Sequence, residues 1–248
     1  MATLPSLAHF PVPFFPPVAS AWREPDGLLA WGGDLSVPRL LAGYQRGIFP
    51  WFSAEDPILW WSPSARMVLD PAALNVRRSL AKVLRNKAYT VSINRDFAAV
   101  LAACAAPRQA SGGTWIVPEM QAAYLALHHA GHAHSVETWV DGVLVGGLYG
   151  VCVGQMFFGE SMFSHQADGS KIALAHLAAH FVRHGMPWID CQMHTPHLAR
   201  LGAALVPRDR FIQTLTPLVA APTPPQLWTY HWDNTPARPF VWAISPLV

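Results

Sequence analysis

The chain has 248 residues, of which 52% are hydrophobic and only 13% are charged. This balance excludes a disordered chain and predicts a folded globular protein with one large core or two smaller ones. The longest apolar stretch, residues 144–158, contains four glycines and is too short to span a bilayer as a helix.

Targeting and redox signals favour the cytoplasm. Five prolines within the first 17 residues break the N-terminal apolar stretch, and no basic segment precedes it. We therefore expect no secretory signal. The three cysteines cannot all pair and none belongs to a CxxC motif, which is typical of proteins in a reducing compartment.

Residues 1–64 are rich in proline, glycine and tryptophan, and they predict a small α+β or irregular domain. One helix is expected there, with Ser36 as its N-cap and Gly47 at its end. We expect the domain boundary near residues 62–64, where serine, proline and serine follow one another.

A basic helix is predicted at about residues 75–85. Arg78, Lys82 and Arg85 are spaced i, i+4 and i+7 and share one face, and Arg77 directly precedes them. Six basic and no acidic residues occur in segment 71–95. Such a face is typical of binding to a phosphate backbone, although many charged helix faces are simply solvated. The absence of acidic residues from this segment favours phosphate binding.

The segments up to about residue 222 predict an α+β domain with a mixed sheet. Strands are expected at 89–93, 136–140, 143–153, 156–158 and 188–193. Helices are expected at 96–105, 119–130, 170–184 and 195–202. This order suits an acetyltransferase-like (GNAT) fold, which shares it with many others. The remaining residues are Pro-rich and show little periodicity.

The histidines and cysteines make weak cases for chemistry. His176, His180 and His184 are spaced i, i+4 and i+8 on one predicted helix, but no HExxH motif accompanies them. We interpret this stripe as the solvent-exposed face of the helix and expect no metal site. Cys191 is either a nucleophile, for which His194 is the nearest partner in sequence, or a small buried hydrophobic residue, which we favour.

Two carboxylates stand in apolar surroundings. Asp190 lies inside the predicted strand 188–193, and Glu160 follows Phe157-Phe158-Gly159 at the end of the meander. Burying a carboxylate is costly unless a partner compensates its charge. Asp190 is therefore either a functional anion or a structural residue bonded to backbone N–H groups. Trp51 and Trp115 lie in loops, where an indole can stack on a base or pack into the core.

Eight segments, in the same order along the chain, resemble the signature motifs of the leucyl/phenylalanyl-tRNA–protein transferases. The resemblance runs from about Ala21 to Phe211 and does not include the residues beyond 222. The segments are Gly27–Leu35, Tyr44–Phe52, Ile58–Pro63, Gly113–Ile116, Gly131–Glu137, Gly146–Gly150, Gly159–Ser164 and Ile189–Gln192.

The resemblance implies a small N-terminal domain (1–64), a GNAT-like catalytic domain with a mixed, largely antiparallel sheet (65–222) and a C-terminal tail (223–248). It implies transfer of Leu or Phe, and less efficiently Met, from aminoacyl-tRNA to proteins that begin with Arg or Lys. The products then enter an N-terminal degradation pathway. No metal, ATP or other cofactor is implied, and we expect a cytoplasmic monomer.

The matching motifs also imply roles for individual residues. Asp190 and Gln192 correspond to the family's catalytic pair, and Glu160 to a polar residue beside the aminoacyl group. Trp51 and Trp115 correspond to residues that hold the terminal adenosine. The implied side-chain pocket consists of Leu148, Phe157, Leu174, Leu177, Phe181 and Ile189. Leu148 and Leu177 replace bulkier or more flexible residues found elsewhere in the family, so the preference among Leu, Phe and Met stays open.

The implied reaction is chemically coherent. An aminoacyl ester is already activated, so its aminolysis mainly requires alignment of the amine with the carbonyl. We expect Gln192 to orient the reacting groups, because an amide oxygen is barely basic. Asp190 would position Gln192 and lend negative potential to the cationic acceptor. A tRNA ribose hydroxyl is one candidate for relaying the proton.

Two other classes of protein stay open at this point. An acyl-CoA N-acetyltransferase would use the same fold, but residues 165–169 lack the Gly-rich loop that binds pyrophosphate. A non-catalytic RNA-binding module would use the basic helix and leave Asp190 without a task.

Overall fold

A three-stranded antiparallel sheet organises the N-terminal part of the protein. The structure is a computed structural model that describes residues 3–8, 14–106 and 115–242. The small sheet has the order β1-β3-β2, with one helix between its first two strands. Its elements are β1 (Leu28–Trp31), α1 (Val37–Tyr44), β2 (Phe49–Pro50) and β3 (Leu59–Trp61).

An eight-stranded sheet forms the rest of the framework, in the order β10-β4-β9-β8-β7-β6-β5-β11. Strands β8 and β9 run parallel, and the other neighbouring strands are antiparallel. The strands are β4 (Ala65–Leu69), β5 (Tyr89–Ile93), β6 (Ala133–Val140), β7 (Val143–Val153), β8 (Met156–Ser164), β9 (Trp188–Asp190), β10 (Ala204–Pro207) and β11 (His231–Asn234).

Helices cover both faces of this sheet, because successive side chains of each strand point to opposite sides. Leu148 and Phe157 pack on one side, against α2, α5 and the segment that follows residue 226. Tyr149 and Phe158 pack on the other, against α3, α4, α7 and the N-terminal part. The helices are α2 (Arg78–Asn86), α3 (Phe97–Ala105), α4 (Pro118–His129), α5 (Gly169–Arg183), α6 (Pro196–Arg200) and α7 (Arg208–Ala220).

The sheet opens where its two parallel strands separate. Strands β8 and β9 pair as far as Phe158 and Asp190. The backbone of the next two residues, 191 and 192, then bonds to Met67 of β4, whereas β8 continues along β7. A β-bulge lies at the same point, since Gly150 is opposite Gly159 and Tyr149 is opposite Ser161. Glu160 is therefore the extra residue, and a bulge of this kind re-aims a side chain.

The α+β class with a mixed, largely antiparallel sheet is confirmed, and most predicted elements are present with shifted ends. The basic helix begins at Arg78 rather than near residue 75, because residues 71–73 form a 3₁₀ turn and Arg77 is extended. The strand from Trp188 ends at Asp190, since Gln192 adopts a left-handed conformation with φ 55°.

The interpretation of the histidine stripe as a solvent-exposed face is wrong for His176 and His180, which are buried. The Nδ1 atom of His176 lies 2.7 Å from the hydroxyl oxygen of Tyr230, and Phe240 stacks on its ring. The segment 223–242 covers this face, and β11 pairs with β5. Because of this burial, the pKa of His176 falls to about 3.

No helix in the described parts of the chain combines the length and the apolar character needed to cross a membrane.

Candidate active site

A cavity of about 460 Å³ lies at the opening between β8 and β9. Trp51 and Met193, which are 37% and 40% exposed, flank its mouth together with Trp115. Apolar side chains form its interior, and Glu160 and Gln192 contribute polar groups to its wall. The cavity thus offers an apolar compartment next to a small polar centre.

Most residues that the sequence pointed to meet in this cavity. Those that line it are Trp51, Trp115, Leu148, Phe157, Glu160, Leu174, Leu177, Ile189 and Gln192. Phe181 is not among the lining residues; its ring packs behind Phe157, with 5.4 Å between the ring centroids. Asp190 also lies behind the cavity wall, fully buried.

Glu160 is the carboxylate that faces the cavity. Its Oε1 atom accepts a hydrogen bond from the Tyr44 hydroxyl at 2.9 Å, and its Oε2 atom accepts one from the Tyr124 hydroxyl at 2.6 Å. The two hydroxyl oxygens are 3.2 Å apart. Tyr44 closes α1 and Tyr124 lies on α4, so the N-terminal part and helix α4 both hold this carboxylate.

The carboxyl group of Glu160 changes its protonation state near neutral pH. Burial disfavours its charged form, and the hydrogen bonds from Tyr124 and Tyr44 offset only part of that cost. The pKa of Glu160 is raised to about 7 as a result. Burial, together with the nearby Glu160 charge, raises the pKa of both tyrosines well above 10, so they remain protonated donors.

Asp190 is locked in a buried ion pair with Arg66. The Arg66 Nη2 atom donates to Oδ2 at 2.7 Å, and Nε donates to Oδ1 at 2.9 Å. The third guanidinium nitrogen, Nη1, donates to the carbonyl of Gly47 at 2.9 Å. The rings of Phe49 and Phe211 lie 4.6 and 4.8 Å from the guanidinium carbon. Arg66 therefore compensates the Asp190 charge, and Asp190 does not present the free negative potential that we expected.

Gln192 connects the two carboxylates. Its backbone N–H donates to Asp190 Oδ1 at 2.9 Å, and its side-chain Nε2 donates to Glu160 Oε1 at 3.2 Å. A left-handed conformation is unfavourable for a residue with a side chain. The Asp190 hydrogen bond stabilises this backbone and directs the amide into the cavity.

Arg66, Tyr44 and Tyr124 were not predicted from the sequence as residues of the site. Arg66 lies in a short segment without a clear strand pattern, and it is 124 residues away from its partner. Tyr44 belongs to a recognised motif, yet nothing local shows that it meets Glu160. Tyr149 is a further cavity residue, and its buried hydroxyl has no hydrogen-bond partner among the described residues.

Cys191 lines the cavity but is poorly suited to act as a nucleophile. Burial, with a further contribution from the Asp190 charge, raises the pKa of its thiol well above the usual range. The thiol therefore stays protonated, whereas the thiolate is the reactive form. Across the described parts of the chain, no three His, Cys, Asp or Glu side chains form a group that could hold a metal ion.

The basic residues lie outside the cavity. Arg77, Arg78, Lys82 and Arg85 are exposed, and within the described residues none of them forms an ion pair. The backbone N–H of Asn75 donates to Leu201 O at 2.9 Å, which joins the start of this segment to α6. His197 and Leu198 of α6 line the cavity. The region of α6 therefore borders the cavity and also contacts the segment that precedes the basic helix.

Comparison with known proteins gives a consistent result over most of the chain. A family model described as leucyl/phenylalanyl-tRNA protein transferase matches residues 68–216, and the model of its N-terminal domain matches residues 33–64. A solved structure, titled "The structure of L-PGS from Bacillus licheniformis", aligns with 10% identity and a TM-score of 0.35, over 62% of this chain and 50% of that one. That likeness is too weak to identify the fold.

Several bacterial proteins named leucyl/phenylalanyl-tRNA–protein transferase are similar to this chain. The leucyl/phenylalanyl-tRNA–protein transferase of Chromobacterium violaceum is 57% identical over 224 residues, which cover 90% of this chain and 96% of that protein. The one from Aromatoleum aromaticum is 60% identical over 199 residues, covering 80% and 84%. Since the family model spans more than half of the chain and such relatives cover nearly all of it, the chain belongs to the leucyl/phenylalanyl-tRNA–protein transferase family.

Proposed function

We propose that the protein transfers leucine or phenylalanine, and less efficiently methionine, from aminoacyl-tRNA to the N-terminus of proteins that begin with Arg or Lys. The observation that carries this proposal is the cavity, in which an apolar compartment adjoins Glu160 and Gln192. Family membership supports it. The modified proteins would then be marked for degradation.

We also propose a domain organisation, a cellular compartment and an oligomeric state for the protein. We assign residues 1–64 to a small N-terminal domain, 65–222 to a GNAT-like catalytic domain and 223–248 to a tail. The order of strands and helices in this part of the chain and its mixed sheet support the GNAT-like assignment. The three free cysteines are in keeping with a cytoplasmic enzyme. We propose a monomer that needs no cofactor.

The apolar compartment would hold the side chain of the transferred amino acid. Leu148, Phe157, Leu174, Leu177 and Ile189 offer it no charged group, which favours Leu, Phe and Met over polar residues. Trp51 and Trp115 at the mouth would hold the terminal adenosine by stacking. The ester carbonyl would then lie between mouth and compartment, next to Gln192 and Glu160.

Glu160 is our candidate for the group that takes the proton from the attacking amine. As the amine nitrogen bonds to the carbonyl carbon, its proton would pass to the Glu160 carboxylate. The tetrahedral intermediate then collapses, the carbon–oxygen bond to the ribose breaks, and Glu160 returns the proton to the leaving ribose oxygen. A pKa of about 7 suits a group that both accepts and donates a proton near neutrality.

Gln192 and Asp190 would have supporting roles in this mechanism. The Gln192 amide would orient the ester and the Glu160 carboxylate, to which it already donates. Asp190, paired with Arg66, would hold the Gln192 backbone in place and so act as a positioning residue.

The two alternative classes explain the site less well. An acyl-CoA N-acetyltransferase needs a pyrophosphate site at a helix N-terminus, but residues 165–168 before α5 contain no Gly-rich loop, and the Asp168 carboxylate is paired with Lys171. A non-catalytic RNA-binding module leaves the polar centre of the cavity without a purpose.

A direct assay tests the proposed activity. Purified protein is incubated with leucyl-tRNA and a peptide that begins with Arg, and mass spectrometry follows the peptide. We expect a product that carries one added leucine, and no product from a peptide that begins with Asp. Absence of any leucine-extended peptide at saturating tRNA would contradict the proposed function.

Gln192→Gly separates catalysis from stability. Glycine adopts φ 55° without strain, so this variant should unfold at the same or a higher temperature than the wild type. Loss of the amide should nevertheless reduce single-turnover transfer by roughly 10-fold or more, because orientation contributes to the barrier. Wild-type transfer by Gln192→Gly would remove Gln192 from the mechanism.

Asp190→Asn should lose about 3–5 kcal/mol of stability in unfolding measurements, since Arg66 is left as a buried unpaired charge.

The pH dependence of transfer tests Glu160. The carboxylate must be deprotonated to act as a base, so activity requires a pH above its raised pKa of about 7. The attacking amine must also be neutral, with an ordinary pKa of about 8. A plot of the logarithm of the wild-type rate against pH should therefore rise with a slope of two at low pH, because two groups must each lose a proton. Glu160→Gln should retain the single deprotonation of the amine and lose roughly 100-fold or more in rate. If both proteins show the same slope, a group other than Glu160 takes the proton from the attacking amine.

The basic helix provides the test of tRNA binding. Changing Arg78, Lys82 and Arg85 together to Ala should weaken tRNA binding and flatten its dependence on salt concentration, because fewer counterions are released. Changing the three to Gln gives a control of similar length, and it should behave like the Ala variant if charge alone matters. Unchanged affinity and an unchanged salt slope would mean that tRNA binds elsewhere.

A further inference from the structure

Trp228 lies directly behind the apolar compartment, although it belongs to the C-terminal segment. Its ring centroid is 5.6 Å from that of Phe157, which lines the cavity, and 5.9 Å from that of Phe181. The three rings form a triangle, since Phe157 and Phe181 are themselves in edge-to-face contact. Trp228 therefore supports the floor of the compartment from the side that a substrate does not reach.

The position of Trp228 is fixed by contacts on both sides. Its indole stacks on the ring of His134 of β6, with 3.8 Å between centroids and 5° between planes. The carbonyl of the preceding residue, Leu227, lies 2.7 Å from His180 Nε2 on α5. These contacts join the segment to β6 and α5, and the contact with Phe157 joins it to β8.

We propose that Trp228 is a specificity-determining residue, which limits how far Phe157 can retreat and so sets the relative use of leucine and phenylalanine. This inference rests on the proposed function and adds the C-terminal segment to the specificity site. The side chains of leucine and phenylalanine differ mainly in the length and width of the space that they fill. A rigid indole behind Phe157 restricts the room for the larger side chain, because packed interiors leave little free volume.

The test compares Trp228 variants by the ratio of kcat/KM for Phe-tRNA to kcat/KM for Leu-tRNA. Trp228→Ala opens space behind Phe157 and should raise this ratio by about threefold to tenfold, a modest change for an apolar pocket. Trp228→Phe should return it towards the wild-type value. The ratio is informative because both rates come from one preparation, so a smaller folded fraction lowers them equally.

Trp232→Ala is the matched control. Trp232 is also a half-buried tryptophan of the C-terminal segment, but its ring contacts His176, Phe240 and Arg238 rather than Phe157. It should leave the ratio unchanged. If Trp228→Ala fails to fold, Trp228→Leu replaces it, with a smaller increase expected. An unchanged ratio in a folded Trp228→Ala or Trp228→Leu protein, or an equal change in Trp232→Ala, would overturn the proposal.

Direct binding separates this proposal from the proposed function. The probes are leucine and phenylalanine joined through a stable amide to the 3′ position of adenosine, and calorimetry measures their affinities. The relative affinity for the phenylalanine probe should rise in Trp228→Ala. If the wild type transfers neither amino acid but the affinities shift in this way, the transferase activity fails and the role of Trp228 stands. If transfer occurs and neither affinities nor rates shift, the role of Trp228 fails alone.

Discussion

The buried pair of Arg66 and Asp190 is the constraint on which the site depends. Two charges removed from water are stable only if every polar group finds a partner. Arg66 meets this condition through Asp190, the Gly47 carbonyl and two aromatic rings. These partners belong to the N-terminal part, β9, β2 and α7. The pair thus connects distant segments at one point, directly behind the cavity.

The polar centre of the cavity is arranged around that point. Asp190 accepts a hydrogen bond from the Gln192 backbone, and the Gln192 side chain donates to Glu160, which also accepts hydrogen bonds from Tyr44 and Tyr124. The bulge at Glu160 and the divergence of β8 from β9 make room for this arrangement inside the sheet. An irregular sheet geometry at this position is therefore a requirement of the site. A regular sheet would have closed the opening.

Local patterns predicted much of the framework but not its long-range contacts. The strands at 89–93 and 143–153 and the helix predicted at 119–130 follow from alternation and turn residues, which act within a few positions. Several cavity residues, among them Glu160 and Gln192, lie in recognisable motifs, whereas Phe157, Leu174 and Leu177 were implied by their position in the family. Arg66 was missed because its partner is 124 residues away. Strand β11 was missed because the Pro-rich segment that contains it shows no hydrophobic periodicity. The burial of His176 was missed because the spacing of residues on a helix does not reveal which segment covers its polar face.

The separation of these contacts along the chain also bears on how the enzyme is made. Glu160 and Tyr44 are 116 residues apart, and Phe211 completes the surroundings of Arg66. Contacts between distant residues form late, because the loop that joins them must first be closed. Asp190 follows Arg66 by 124 residues and Phe211 lies further along the chain, so the polar centre of the cavity cannot assemble during synthesis until both residues have been made.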